Sequence, residues 1–281
     1  MKQYATVTVI GRDKTGVIAR VTNFLFEQHA NIEALEEQVT RGQFSMTLQA
    51  SWAGKKFDAA HIDSGLEKLA AELGMEIKVR FTEPGRRQRF AIFVTREPRC
   101  FETLAQAAAK KSIVADAALV IGNRPDLAGI AKKFRLPFVR IPWENRVKAE
   151  ARALELLEEH RIDFVVLARF MKILSPNFVW RYQNKIINIH PSLLPSFPGP
   201  QAYRQAYEKG VKIAGVTAHF VNMHLDEGPI IAQGSFNIRP AMTLPEIVAT
   251  GQKLEAQVLL KAVKRYLSRR LDVYWGTVNE I

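Results

Sequence analysis

The first 80 residues combine two hydrophobic periods. Apolar positions alternate with polar ones in four segments, as in half-buried strands, and recur every three or four residues in two others, as in amphipathic helices. In chain order these are a strand at 4–10, a helix at 17–28, strands at 31–39 and 44–50, a helix at 57–73 and a strand at 76–81. This βαββαβ order predicts a ferredoxin-like domain.

From residue 85 onward, apolar strands alternate with helices. A polar segment that contains Pro84 and Gly85 precedes the change and is typical of a linker. We predict strands at 90–94, 117–121, 138–141, 164–167, 186–189, 213–221 and 230–236, and helices at 100–111, 126–134, 145–160 and 243–266. Such alternation favours a Rossmann-like α/β domain with a mostly parallel sheet. The predicted domains are residues 1–84 and 85–281.

Charge separates the two predicted domains. Residues 1–84 hold 10 Lys and Arg against 11 Asp and Glu, a net charge of −1, whereas the remaining residues hold 30 against 17, a net of +13. A basic domain attracts anionic ligands. Its arginine and lysine clusters are not interleaved with aromatic residues, as a single-strand-binding groove would require, so we do not expect nucleic acid as a partner.

The chain has the features of a cytoplasmic protein. Cys100 is the single cysteine, which excludes an intrachain disulfide and a thiolate metal cluster. No apolar run approaches the ~20 residues of a membrane helix, so we expect no membrane association. The first residues pass directly into the predicted first strand, so we expect no signal peptide.

Three polar residues in the second domain could perform carbonyl chemistry. Asn188 and His190 are two positions apart at the end of a predicted strand, so their side chains share a face. Asp226 lies in the turn between the next two strands. An asparagine amide can stabilise an oxyanion, a histidine can donate a proton, and an aspartate can orient that histidine or activate water. From these residues alone, a structural histidine capped by an aspartate stays an alternative.

The surrounding motifs resemble the folate-dependent formyltransferase family. They are the segment from Asn188 to Phe197, then His219, then the segment from Leu225 to Ile231, and the segment from Leu167 to Ser175. The resemblance implies catalysis by Asn188, His190 and Asp226, with possible support from His219. It also implies that the folate contacts Met171, Lys172, Ile173, Leu174, Val221 and Leu225.

Two absences distinguish this chain from other members of that family. The loop after the strand at 90–94 lacks the glycine-rich sequence with which glycinamide ribonucleotide transformylase holds a phosphate. About 45 residues follow Phe236, so we also do not expect the sizeable C-terminal tRNA-binding domain of methionyl-tRNA formyltransferase.

The first domain resembles an ACT module, which binds small effectors. The matching residues are Asp13 and Gly16 in the first turn and Asn31 at the start of the second strand. This resemblance implies amino-acid effectors such as glycine or methionine, and a homo-oligomer formed through ACT domains. An ACT domain followed by a formyltransferase-like domain is the architecture of the formyltetrahydrofolate deformylases. The alternative is a purely structural dimerisation domain.

The resemblance implies hydrolysis of 10-formyltetrahydrofolate to formate and tetrahydrofolate, which supplies formate for purine and one-carbon metabolism. No separate cofactor or metal is expected, since the folate is the substrate. Deformylases usually carry a second histidine after the catalytic one, whereas here Pro191 follows His190, as in transformylases. Two alternatives therefore remain, a formyltransferase that uses an unidentified amine and a non-catalytic folate-binding regulator.

Overall fold

The computed structural model describes residues 2–53, 57–83, 85–268, 270–274 and 276–280. The chain divides into two compact units, Met1–Arg86 and Arg87–Ile281. Pro84 of the predicted linker lies outside the described residues. Among the helices of the described chain, none combines the length and the apolar character that a membrane crossing requires.

The N-terminal unit is an antiparallel four-stranded sheet with two helices against it. Its elements are β1 (Gln3–Arg12), α1 (Val17–Glu27), β2 (Asn31–Thr40), β3 (Gln43–Trp52), α2 (Ala59–Leu73) and β4 (Glu76–Phe81). The strand order is β2-β3-β1-β4. The buried residues of both helices and of β1, β3 and β4 form one core. The predicted βαββαβ fold is confirmed.

Turns and caps explain where these elements begin and end. Arg41 and Gly42 both have positive φ, 50° and 75°, as a tight hairpin between β2 and β3 requires. α2 begins two residues later than predicted because the side chain of Asp58 accepts a hydrogen bond from the backbone N–H of His61, as an N-cap does. Gly74 ends the same helix with a φ of 55°.

The C-terminal unit is built on a seven-stranded sheet with helices on both faces. Its strands are β5 (Gln88–Val94), β6 (Ala115–Gly122), β7 (Phe138–Arg140), β8 (Phe164–Ala168), β9 (Ile186–His190), β10 (Ile213–Phe220) and β11 (Ile230–Asn237). Their order is β11-β10-β9-β8-β5-β6-β7. The five strands from β9 to β7 are parallel, and β10 and β11 are antiparallel additions. The predicted, mostly parallel α/β fold is confirmed.

In the described part of the chain, six helices cover the two faces of this sheet, and the sheet lies between two hydrophobic cores. They are α3 (Arg99–Ala109), α4 (Ala128–Lys133), α5 (Arg146–Glu159), α6 (Pro176–Arg181), α7 (Ala202–Glu208) and α8 (Leu244–Leu267). Alternate residues of β5 belong to different cores: Phe90 and Ile92 lie against α3 and α8, whereas Ala91 and Phe93 lie on the face of α5 and α6. A strand that is buried on both faces reads as one continuous apolar run.

Three features of this unit were not predicted. α6 and α7 have only six and seven residues, so the helical period hardly repeats within them. The segment after residue 236 contains more than the predicted long helix, because β12 (Leu271–Tyr274) and β13 (Thr277–Glu280) form an antiparallel hairpin. Leu271, Val273 and Val278 of this hairpin pack against the core. Four-residue strands are too short for a clear alternating pattern.

The strand order produces a crevice between β5 and β8. The chain runs outward from β5 through β6 to β7 and then returns to β8 on the opposite side of β5. Open α/β sheets bind ligands at such a switch point, outside the carboxyl ends of the strands. The segments that follow the two strands meet here, since the backbone N–H of Met171 donates to Oγ1 of Thr95 at 3.0 Å.

Two helical valines test the importance of this core. Val263 of α8 is fully buried, whereas Val147 of α5 is 77% exposed. Val263→Ala should lower the free energy of unfolding by about 1–3 kcal/mol, because it removes buried methyl groups and leaves a cavity. Val147→Ala gives the same small gain in helix propensity but leaves no buried cavity, so it should change the free energy of unfolding by less than ~0.5 kcal/mol. Urea unfolding of both variants measures the difference, and equal effects would contradict the described packing.

Candidate active site

The pairing of β9 with β10 brings two predicted site residues together. Asn188 and His190 both lie in β9, and His219 of β10 is the direct cross-strand partner of Asn188. Nδ2 of Asn188 lies 3.2 Å from Nε2 of His219. The predicted support by His219 therefore corresponds to a contact with Asn188.

The environment of His219 determines which hydrogens it carries. Its Nδ1 lies 2.8 Å from the carbonyl oxygen of Phe220, which can only accept, so Nδ1 carries the hydrogen. Burial lowers the pKa of His219 below its ordinary value of 6.5 and favours the neutral ring. Nε2 is then an acceptor for the amide of Asn188. This contact fixes the rotation of the amide and leaves its second N–H available for a ligand.

Asp226 is held at the site by a strained loop. Its φ is 59°, in the left-handed region, and its Oδ2 accepts from the backbone N–H of Gly199 at 2.9 Å. The same oxygen lies 3.3 Å from Nδ1 of His190. Burial favours the protonated acid, but the bonds from His190 and Gly199 outweigh it, so the pKa of Asp226 lies below its ordinary value of 3.8.

Both ring nitrogens of His190 face acceptors. Nδ1 faces Asp226, and Nε2 lies 3.0 Å from the carbonyl oxygen of Phe197. A neutral ring would turn a lone pair toward one of these oxygens, whereas an imidazolium donates to both. The surroundings therefore suit a protonated His190, beside an ionised Asp226 and a neutral His219.

Gly228 allows the Asp226 loop to lie close to β10. A Cβ atom on Gly228 would lie 1.7 Å from the carbonyl oxygen of Phe220 and 3.3 Å from Nδ1 of His219. Because the clashing oxygen belongs to the backbone of β10, it could move aside only if the strand itself moved. Only glycine therefore permits the approach that brings Asp226 next to the two histidines.

A cavity of about 600 Å³ adjoins these side chains. The predicted catalytic residues and the predicted folate-contacting residues all line it: Asn188, His190, Asp226, Met171, Lys172, Ile173, Leu174, Val221 and Leu225. Residues 169–175 form neither helix nor strand, so their backbone N–H and C=O groups are not engaged in a regular ladder. The sequence-predicted site is thus assembled around one cavity, although the folate contacts themselves stay a prediction.

Several residues at the site were not predicted. The backbone groups of Phe197 and Gly199 bind His190 and Asp226, and backbone contacts leave no residue-specific signal in a sequence. Arg169 and Tyr203 also line the cavity. Arg169 directly precedes the predicted folate-contacting segment, and this position in the sequence could have identified it as a cavity residue. His224 is exposed at the cavity wall.

The predicted effector residues of the N-terminal unit are accessible. Asp13 and Gly16 lie between β1 and α1, Asn31 begins β2, and all three are exposed. Their joint action on a ligand stays a prediction. Among the described residues, no three His, Cys, Asp or Glu side chains are arranged to bind a metal ion.

The protonation state of His219 can be measured directly. Because its pKa is lowered, the ring should stay neutral, with its hydrogen on Nδ1, at pH values near 6 where free imidazole becomes charged. Long-range ¹H–¹⁵N correlation spectra of the imidazole nitrogens, recorded between pH 5 and 8, should show this. The variant His219→Gln identifies the resonances. Protonation of His219 with an ordinary midpoint would contradict its role as an acceptor for Asn188.

Comparison with known proteins agrees with this architecture. The formyl transferase family model matches residues 88–263, and an ACT domain model matches residues 3–80. Formyltetrahydrofolate deformylase of Escherichia coli K12 is 36% identical over 277 residues, which cover 97% of this chain and 96% of the relative.

Among solved structures, a deformylase matches nearly the whole chain, whereas a transformylase matches part of it. A formyltetrahydrofolate deformylase from Pseudomonas syringae pv. tomato matches with a TM-score of 0.68 and 28% identity, covering 99% of this chain and 94% of that one. Glycinamide ribonucleotide transformylase 1 from Symbiobacterium toebii matches with a TM-score of 0.67 and 29% identity, but covers only 72% of this chain and 96% of that one. With both domains matched in order and over nearly its full length, the chain belongs to the formyltetrahydrofolate deformylase family.

Proposed function

We propose that this protein hydrolyses 10-formyltetrahydrofolate to formate and tetrahydrofolate. The observation that carries the proposal is the arrangement of Asn188, His190 and Asp226 around one cavity, in contact with one another either directly or through His219. Family membership over the full chain supplies the substrate. The folate is the substrate rather than a cofactor, and the mechanism uses no metal.

The three side chains have separate roles in this mechanism. The free amide N–H of Asn188 donates to the formyl oxygen as it becomes an oxyanion, and the Nε2–H that protonated His190 directs at Phe197 in the free protein turns to the same oxygen. Asp226 accepts a proton from the attacking water. The water oxygen bonds to the formyl carbon, the bond from that carbon to N10 breaks, and a proton passes to N10, so formate and tetrahydrofolate leave.

Water is the favoured acceptor of the formyl group. The relatives that match both domains of this chain are named deformylases, whereas the transformylase named above matches 72% of it. The alternative, formyl transfer to an amine, is therefore not favoured. A non-catalytic folate binder would have no need for an ionised Asp226 held beside a histidine.

Formate release without an amine tests this proposal. The wild-type protein, incubated with 10-formyltetrahydrofolate alone, should release formate, and Asp226→Asn should lower kcat by about 10²–10⁴, because the general base is lost. His190→Ala should have an effect of similar size. The matched control is Asp272→Asn, an equivalent change on the exposed hairpin, which should leave kcat unchanged. Formate release that persists in Asp226→Asn would contradict the mechanism, and its absence in the wild type would contradict the function.

The formate so released supplies purine and one-carbon metabolism in the cytoplasm. The lone, buried Cys100 is consistent with a reducing compartment. The basic surface of the second domain suits an anionic substrate such as a folate with a glutamate tail.

The N-terminal domain binds a small amino acid, glycine or methionine, through Asp13, Gly16 and Asn31. Calorimetry on the full chain should detect this binding, and Asn31→Ala should abolish it because the change removes an amide donor and acceptor. Asn23→Ala is the matched control, since Asn23 is an exposed asparagine of α1. If neither amino acid releases heat with the wild-type protein, the domain is a structural dimerisation element instead.

The same domain joins copies of the chain through β2. In the described part of the chain this edge strand pairs with β3 alone, and its Ile32, Leu35 and Val39 are 38%, 36% and 49% exposed. An accessible, partly apolar edge is suited to pairing with another copy. Light scattering should show a homo-oligomer whose mass falls in Val39→Lys but not in the control Val147→Lys. A monomeric wild type would exclude this assembly.

A further inference from the structure

A buried ion pair lies behind one wall of the cavity and has no role in the mechanism above. Glu255 of α8 is 0% exposed, and its Oε1 accepts a hydrogen bond from Oη of Tyr203 at 2.8 Å. Its Oε2 lies 3.4 Å from Nε of Arg169. A buried carboxylate is costly unless it is paired, so these two contacts hold it in place.

Two local features show that the backbone is adapted to this cluster. Arg169, the first residue after β8, has a φ of 60°, a conformation that is strained for an arginine. Gly251 lies one helical turn before Glu255 on the same face of α8, and a Cβ atom there would lie 2.1 Å from Oη of Tyr203. A glycine inside a helix is less stable there than alanine, and here it lets Tyr203 reach Glu255.

The cluster lies where a second substrate would be expected to bind. Arg169 begins the segment at the carboxyl end of β8, at the switch point beside β5, which is the usual ligand crevice of such sheets. Arg169 and Tyr203 line the cavity, whereas Glu255 does not. The guanidinium therefore lies between the carboxylate and the cavity. Glu97, in the segment between β5 and α3, adds a second carboxylate, and burial raises the pKa of its side chain.

We propose that Arg169 determines the choice of water over an amine by occupying, from within the chain, the carboxylate that an amine acceptor would use. Primary amines are largely cationic near neutral pH, and Glu255 is the buried anion behind this wall that could hold one. A tethered guanidinium is always present at high effective concentration and also fills the space. Water needs neither the anion nor the space. This inference rests on the proposed hydrolysis.

The proposal predicts a new reaction when Arg169 is shortened. In Arg169→Ala the ammonium held by Glu255 would first give one proton to Asp226. Its nitrogen would then bond to the formyl carbon, the bond from that carbon to N10 would break, and a second hydrogen of the nitrogen would pass to N10. The products are a formamide and tetrahydrofolate instead of formate and tetrahydrofolate. Arg169→Lys restores a cation next to Glu255 and should behave as the wild type.

Product partition tests the proposal. Wild type, Arg169→Ala and Arg169→Lys are incubated with 10-formyltetrahydrofolate and glycinamide, and formate and N-formylglycinamide are quantified by mass spectrometry. We expect the formamide-to-formate ratio to rise at least about tenfold in Arg169→Ala, the order expected for gaining a partly buried ion pair, and to stay at the wild-type value in Arg169→Lys. An unchanged ratio in Arg169→Ala would overturn the proposal. A raised KM for the folate with an unchanged ratio would overturn it too, and would make Arg169 a substrate-binding residue.

A second variant keeps the proposal testable if Arg169→Ala does not fold, since that change leaves Glu255 buried without its cationic partner. The double variant Arg169→Ala/Glu255→Gln removes that charge and keeps the enlarged cavity, so its ratio should exceed that of the wild type but stay below that of Arg169→Ala, because the space is open and the anion is absent. A wild-type ratio in this folded double variant would overturn the proposal. Incubation of the wild type without glycinamide is a separate arm: if it yields no formate, the proposed hydrolysis fails, whatever the variants do.

Discussion

The antiparallel pairing of β9 with β10 is the constraint on which the site depends. Five parallel strands end at β9, and the reversal at β10 places His219 directly opposite Asn188. A slip of β10 by one residue would turn His219 to the other face of the sheet and separate it from Asn188. The pairing continues through Val221, whose N–H donates to the carbonyl oxygen of Ile186 at 2.9 Å. The register therefore fixes the amide of Asn188, which is the oxyanion donor in our proposal, before any loop contributes.

The two loops that complete the site depend on this register. The loop after β9 returns the carbonyl of Phe197 to His190 and the N–H of Gly199 to Asp226. The loop after β10 returns Asp226 to His190, and Gly228 allows its close approach to the strand. Phe197, Gly199 and Asp226 all have positive φ. Glycine adopts this conformation without strain, but Phe197 and Asp226 do not, and strain at two positions around one histidine is typical of functional sites, where packing holds conformations that an isolated loop would not keep.

The sequence predicted the elements of the fold better than the contacts between them. Long strands and helices follow clear periods, and both domain folds were predicted, whereas α6, α7 and the final hairpin are too short for a period to repeat. Family motifs identified Asn188, His190 and Asp226. The tautomer of His219 could not be predicted, because it depends on a backbone carbonyl one residue away and on burial. The Arg169–Glu255 pair joins residues 86 positions apart, and a single sequence has no signal for such a contact.

Two buried carboxylates near the cavity have partners of different chemistry, and this difference separates their functions. Asp226 faces His190, and an imidazole can both donate and accept a proton, so in our proposal the pair exchanges protons with a substrate. Glu255 faces Arg169, which does not deprotonate in proteins, and Tyr203, whose hydroxyl donates to it. Burial and the negative charge of Glu255 raise the pKa of the Tyr203 hydroxyl above its ordinary value of 10.0. This second cluster therefore cannot relay protons, and its charges serve to hold side chains in fixed positions. In our proposals, the fixed cation in the cavity wall selects among substrates, whereas Asp226 and His190 perform the chemistry.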